Sequence, residues 1–201
     1  MKIDIPKVDI PTGKSGIWQI GKFSVNETEA VMFNLRSMRG GMRNRAIVPG
    51  EYTRLSCGGE VVMSDTPAEM RDHEPFVHEC HGDILITGLG LGMVANACLL
   101  KDGIGTVTVI EKSADVIALA ADHYRQKFGE RFQVIHADAL KWKPGKGQRW
   151  GAVWHDIWPT ICADNLPQMT TLKRRFARRV TGAHGCWCEI ECHRAKRGYY
   201  H

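Results

Sequence analysis

Nothing in the sequence stays apolar for the roughly 20 consecutive residues that a bilayer-spanning helix needs, so no membrane partner is expected. The opening stretch, MKIDIPKVDIPTGKSG, likewise lacks the apolar segment of about 7 to 15 residues that drives secretion. Cysteine is sparse and odd in number. Seven thiols scattered over 201 residues read as reduced side chains rather than a disulfide framework, which predicts a cytoplasmic protein. No internal repeat and no low-complexity tract is present. What is there has the composition of one folded α/β domain with a short appendage: 43% hydrophobic, 24% charged, net charge +5.

Much of the positive excess lies late in the chain. After residue 172, Lys173, Arg174, Arg175, Arg178, Arg179, Arg194, Lys196 and Arg197 face only Glu189 and Glu191. Such a region is either a solvated helix face or a surface for an anionic partner, so a nucleic acid or protein acceptor stays open through residues 173–197.

Residues 1–16 are polar and punctuated by proline and glycine, which predicts a loosely held arm. WQIGKFSV and EAVMFNLRS carry β-branched and aromatic residues in short stretches, with Asn26 as a turn between them. RGGMRNR reads as a loop. YTRLSC and EVVM flank Gly58-Gly59, a pair suited to a tight hairpin turn. Thr66-Pro67-Ala68-Glu69 has the form of a capping box, so a helix is expected from Pro67, bent or interrupted at Pro75. The expected division is a β-rich extension over 1–82 and a Rossmann-like domain over 83–201.

After Gly82 apolar runs alternate with amphipathic stretches: DILIT, a helix from about Met93, TVTVIE, a helix through ADVIALAADHYRQKF, FQVIHA and WGAVWHD. That order predicts a doubly wound, mostly parallel sheet. A helix is expected over about 165–180, with Leu166, Met169, Phe176 and Val180 on one stripe. A last strand is expected over 185–192, with Cys186, Cys188, Ile190 and Cys192 on one face. This alternation accounts for the cysteines beside His193 without a metal.

Ile84 to Gly92 reads as a buried strand entering a glycine-rich turn, where side chains would block backbone approach to a ligand. The candidate cofactor residues are Gly88, Leu89, Gly90 and Gly92. Glu111 ends the next strand, placed to accept ribose hydroxyls, and Asp138 follows the third strand within reach of an adenine amino group. Their chain neighbours Lys112 and Ala139 complete the set. A dinucleotide is disfavoured, because Met93 stands where its fingerprint has a third glycine. Asp156, at the tip of the fourth strand, is the candidate acceptor-facing and catalytic residue. Trp158 is either a wall of the acceptor pocket or a core tryptophan.

These residues resemble class I S-adenosylmethionine-dependent methyltransferases. ILITGLGLG is similar to the strand and loop of the spermidine synthase family. Asp156-Ile157-Trp158-Pro159 resembles the aspartate-x-aromatic-proline loop of guanidinoacetate methyltransferase, and Pro75-Phe76-Val77-His78 resembles its upstream proline-aromatic-x-histidine. The resemblance implies S-adenosylmethionine as cofactor, His78 lying over it, and Asp156 orienting the nitrogen of a small amine or guanidine acceptor. It also implies a homodimer formed through N-terminal strands. Two alternatives stand beside this: aminopropyl transfer from decarboxylated S-adenosylmethionine, and a nucleotide-binding domain without turnover.

Overall fold

The computed structural model describes residues 5–39 and 45–198, and within them two sheets share one hydrophobic core. The first is antiparallel, with β1 (Gly13–Ser15), β2 (Trp18–Val25), β3 (Gly50–Cys57) and β4 (Glu60–Ser64) side by side in chain order. β3 and β4 form the hairpin expected around Gly58 and Gly59. The second sheet is parallel, ordered β7 (Phe132–His136), β6 (Ile104–Glu111), β5 (Gly82–Thr87), β8 (Ala152–His155), β9 (His184–Cys186). Helices α3 (Met93–Leu99), α4 (Ala114–Phe128) and α5 (Leu166–Phe176) make the crossovers. This is the Rossmann-like, doubly wound α/β fold expected, preceded by a small β-rich extension.

Strands buried on both faces need apolar residues at consecutive positions. Ile84 and Ile86 of β5 and Val107 and Val109 of β6 enter the core beneath α3 and α4. Leu85, Ile110 and Val153 point the other way and meet Leu166, Met169, Leu172 and Phe176 of α5. Among the described residues, no helix is long and apolar enough to cross a membrane.

Four expectations need correction. First, EAVMFNLRS is not strand-like but lies in α1 (Glu27–Arg39). Asn26 starts that helix: its Oδ1 accepts from the Glu29 N–H and its own N–H donates to Glu29 Oε2, both at 2.9 Å. This reciprocal cap overrides the β-branched composition. RGGMRNR falls almost wholly outside the described residues. Second, α2 (Pro67–Glu79) begins at Pro67 as expected, but Thr66 makes no side-chain cap. Glu69 turns back to Ser64 instead, accepting from its N–H at 2.9 Å and its hydroxyl at 2.7 Å. The helix also runs through Pro75 without a break.

Third, the last strand ends at Cys186. Cys188 adopts a left-handed conformation (φ 48°) and leads into α6 (Glu189–Lys196), so the expected cysteine face does not exist. Ile190 is 65% exposed while Cys192 is buried. Fourth, the arm is not loose where it is described. Ile5, Val8 and Ile10 belong to the main core. Asp65, itself buried, accepts from the Val8 N–H at 3.2 Å and from the Thr53 N–H at 2.6 Å, tying the arm to β3.

Asp65→Ala would leave both buried amides without their acceptor, a loss of about 2 to 4 kcal/mol. Urea unfolding should read that loss, and trypsin should cut faster after Lys7. Unchanged stability with unchanged cleavage would mean that the arm is held by its apolar contacts alone.

Candidate active site

The chain leaves β5 toward β6 but leaves β8 toward β9, on the opposite side of the sheet. Open α/β sheets bind ligands in the crevice beyond the C-terminal strand ends at such a reversal. Gly88 follows β5 and Asp156 follows β8, so the two flank that crevice. They also touch. The Asp156 N–H donates to the Thr87 carbonyl at 2.8 Å, and a Cβ on Gly88 (φ 94°) would fall on the Asp156 carbonyl oxygen.

The other turn glycines also have positive φ, and the space a Cβ would take at each is held by the protein's own atoms. A Cβ on Gly90 would fall on the sulfur of Met63, and one on Gly92 on the ring of Tyr124. The turn's polar groups are largely engaged as well. Leu89 N–H donates to Glu111 Oε2 at 2.8 Å, Leu91 N–H to Met63 Sδ at 3.1 Å and Gly92 N–H to the Leu89 carbonyl at 2.7 Å. Tyr124 donates its hydroxyl to the Leu91 carbonyl at 2.6 Å. The following helix, α3, has only seven residues, every one of them buried.

Two adjoining cavities open at the strand tips and share Trp18, Gly88, Glu111 and Ile157. One, of about 540 Å³, runs past Lys112, Ser113, Asp138 and Ala139. Glu111 takes one amide on each oxygen, Leu89 on Oε2 and Ser113 on Oε1, which leaves a lone pair on each for a further donor. Asp138 Oδ1 accepts from the Leu140 N–H at 2.9 Å, while Oδ2 lies 3.7 Å from exposed Lys112 Nζ. These residues suit a nucleoside: acceptors for ribose hydroxyls and for an amino group, beside an apolar wall.

The second cavity, of about 560 Å³, reaches from Gly88 and Gly90 to Asp156 and Pro159. Its charged lining is of one sign. Glu60, Glu69, Glu111 and Asp156 face it, with Trp18, Trp158 and Trp187 between them and, among the described residues, no Lys, Arg or His. Trp158 resolves both ways at once: it lines this cavity, packs in the core and donates Nε1–H to Gln168 Oε1 at 2.8 Å.

Asp156 is the most perturbed acid in this lining. Burial, then the negative charges of Glu69, Asp72 and Glu111, push its carboxyl up to about 8. His73 of α2, wholly buried, places Nε2 3.8 Å from Asp156 Oδ2, and among the described residues neither ring nitrogen has a hydrogen-bond partner. Burial, then the nearby Arg45 charge, push this imidazole down to about 3. At neutral pH the pair is therefore a protonated carboxyl beside a neutral ring. Asp72 is tied to Arg45 NH1 at 2.8 Å.

The structure gathers Gly88, Gly90, Glu111, Lys112, Asp138, Ala139, Asp156 and Trp158 around the two cavities; Leu89 and Gly92 line neither and shape the turn instead. His78 is not among them. It sits exposed in the last turn of α2 and lines neither cavity, because the helix continues through Pro75 and carries it away from the crevice. His73, Glu69, Met63 and Trp18 were missed from sequence; their places depend on how the extension packs over the parallel sheet. Of the basic region, Arg175 donates to the carbonyls of Ala139, Leu140 and Trp142, and Arg179 to those of Gly145 and Gln148. Lys173 pairs with Glu189 and Arg194 with Glu191.

Compared by sequence with known proteins, the chain matches no family model and no curated relative. Compared by structure, it resembles an S-adenosylmethionine-dependent methyltransferase of Clostridium acetobutylicum (11% identity, 53% of this chain and 42% of that one, TM-score 0.39). It also resembles the CcbJ methyltransferase of Streptomyces caelestis (18% identity, 47% and 38%, TM-score 0.38). A third likeness is coclaurine N-methyltransferase bound to N-methylheliamine and S-adenosylhomocysteine (15% identity, 44% and 26%, TM-score 0.38). The chain thus spans well under half the length of these structures.

Asp156 gives the site a pH signature. A carboxyl raised on folding holds its proton more tightly in the folded chain. Its favourable contribution is complete below its unfolded value of 3.8 and is lost as pH rises toward about 8. Asp156→Asn should therefore leave the melting temperature nearly unchanged at pH 4 and raise it by several degrees at pH 8.5. Calorimetry at the two pH values checks this, and an equal shift at both would remove the perturbed carboxyl.

Proposed function

We propose that the chain is an S-adenosylmethionine-dependent methyltransferase whose acceptor is the nitrogen of a small amine or guanidine. The observation that carries this reading is the lining of the second cavity: among the described residues, four carboxyls, three tryptophans and no cationic side chain. Such a surface attracts cations. Aromatic faces and carboxylates favour a sulfonium and an ammonium or guanidinium, and disfavour the phosphates of a dinucleotide.

The residues fit the cofactor at its nucleoside end. Glu111 offers lone pairs where ribose hydroxyls would lie, Asp138 and the backbone of Ala139 border the place of the base, and Gly88 borders both cavities. When bound, the cofactor supplies an activated methyl group on sulfur. The chain's part is to align and desolvate the acceptor nitrogen, an effect worth up to about 7 to 11 kcal/mol in favourable systems. Trp18, Trp158 and Trp187 exclude water, and Asp156 holds the nitrogen and takes its proton. A carboxyl raised to about 8 rests protonated at neutral pH, so it takes that proton after the entering cation has ionised it.

One observation favours a second reading, aminopropyl transfer from decarboxylated S-adenosylmethionine. An intact cofactor carries a carboxylate on its tail, yet the N–H groups of Leu89, Leu91 and Gly92 already have acceptors, and among the described residues no Lys, Arg or His lines the second cavity. An incoming carboxylate can claim the Leu91 amide by displacing the thioether of Met63.

Titration calorimetry with both cofactor forms separates the readings. Methyl transfer requires that the intact form and S-adenosylhomocysteine bind, and that methyl label enters an amine pool. Met63→Ala should tighten the intact form by about three- to tenfold, since its binding no longer has to displace the sulfur. A tenfold preference for the decarboxylated form would establish the second reading instead, and no binding of either would end both.

A further inference from the structure

Buried polar side chains nearly always find a hydrogen-bond partner, so an imidazole with two unpartnered nitrogens at a site calls for a reason. His73 is such a group. It lies on α2, edge-on to Trp154 with ring centroids 5.9 Å apart, and Trp154 in turn stacks on Phe76 at 4.9 Å. These rings fix its plane, and the polar atom it faces is Asp156 Oδ2, 3.8 Å away. That separation is too long for a hydrogen bond and short enough to become one with a shift of about 1 Å.

We propose that His73 is the positioning residue of the acceptor site: its Nε2 accepts the hydrogen bond of the protonated Asp156 carboxyl and so holds the proton that Asp156 takes from the acceptor nitrogen. This inference rests on the reading of Asp156 as the acceptor-facing acid. As the cation enters, the Asp156 proton passes to solvent; the N–H bond of the cationic nitrogen then breaks, an O–H bond forms at Asp156 Oδ2, and that proton stays there, hydrogen-bonded to the imidazole. The nitrogen retains the electron pair of the broken bond as its lone pair, and no other bond changes. The imidazole itself stays neutral, since a second positive charge would lie wholly buried beside Arg45.

Other groups around the pair agree with this polarity. From α2, Glu69 and Asp72 face Asp156; from the tip of β6, Glu111 does; from β9, Cys186 is the neighbouring thiol. His155, the preceding residue on β8, is engaged elsewhere, with Thr87 Oγ1 at 3.0 Å and His184 Nε2 at 3.2 Å. Arg45, the one cation acting on His73, is already paired with Asp72. In this ring of carboxylates, a cation entering the cavity favours the ionised form of Asp156, and His73 is the acceptor that holds the proton once Asp156 has taken it from the nitrogen.

The test needs neither cofactor nor turnover. In wild-type protein labelled with carbon-13 at aspartate carboxyls and nitrogen-15 at histidine, nuclear magnetic resonance should find the Asp156 carboxyl and His73 Nε2 moving together through one midpoint in the neutral to mildly alkaline range. Methylammonium or guanidinium ion should lower that midpoint. A His73 signal that stays flat while Asp156 titrates overturns the proposal, and does so in the unaltered protein. His73→Leu should lower the Asp156 midpoint by about one unit, and His73→Gln, which keeps an acceptor, should preserve it; equal midpoints in both variants would also count against the pair. Because S-adenosylhomocysteine affinity should be the same in wild type and both variants, loss of cofactor binding by the wild type would sink the methyltransferase reading while leaving the result on the pair intact.

Discussion

The contact on which the site depends is the one between the tips of β5 and β8, where the Asp156 carbonyl occupies the space that a side chain at residue 88 would need. That approach brings the glycine turn and the acidic loop within one crevice. It also explains why a glycine is required there without invoking any ligand. The same economy of space recurs at Gly90 under Met63 and at Gly92 under Tyr124, so the turn is a packed junction of three elements. Function is superimposed on a constraint that the fold already imposes.

Charge follows from this packing. Bringing Glu69, Asp72, Glu111 and Asp156 to one end of the sheet, behind tryptophan walls, concentrates negative charge where water is scarce. Two of these acids have donors within the chain: Glu111 has two backbone amides and Asp72 the Arg45 guanidinium. Glu69 accepts from Ser64. Asp156 has no such support on its side chain beyond the long approach of His73, so it is the acid that keeps its proton. The division is physical: acids with donors hold the turn in shape, and the acid without them is left reactive.

The parallel sheet was legible in the sequence because doubly buried strands write continuous apolar runs, as ILI and TVTVI do, and because glycine, Glu111 and Asp138 fall at fixed intervals after them. The ends of the chain were less legible. In α1, Val31, Met32, Phe33 and Leu35 look like strand residues, and only the pairing of Asn26 with Glu29 reveals a helix. At the other end, CWCEIEC alternates like a strand, yet Cys188 turns left-handed and the remainder coils. His73 could not be picked out beside Asp72, Glu74 and His78, since helical rotation alone decides which of the four faces Asp156 and which faces solvent.

The extension thereby acquires a definite part in the chemistry. The parallel sheet supplies Gly88, Glu111, Asp138 and Asp156, a set suited to hold a nucleoside and one nitrogen. The roof comes from elsewhere: Trp18 from β2, Leu55 and Cys57 from β3, Glu60 to Met63 from the hairpin and Glu69 from α2. On the proposed reading an acceptor fits between these two halves, so its shape meets mainly the extension while its charge meets both. Because Ile5, Val8 and Ile10 and the bonds of Asp65 anchor the extension into the same core as β5 and β6, the roof is held in register with the floor. The shape of the cavity is therefore a property of how two sheets are packed, and residues remote from the glycine turn, Asp65 among them, bear on it through that packing.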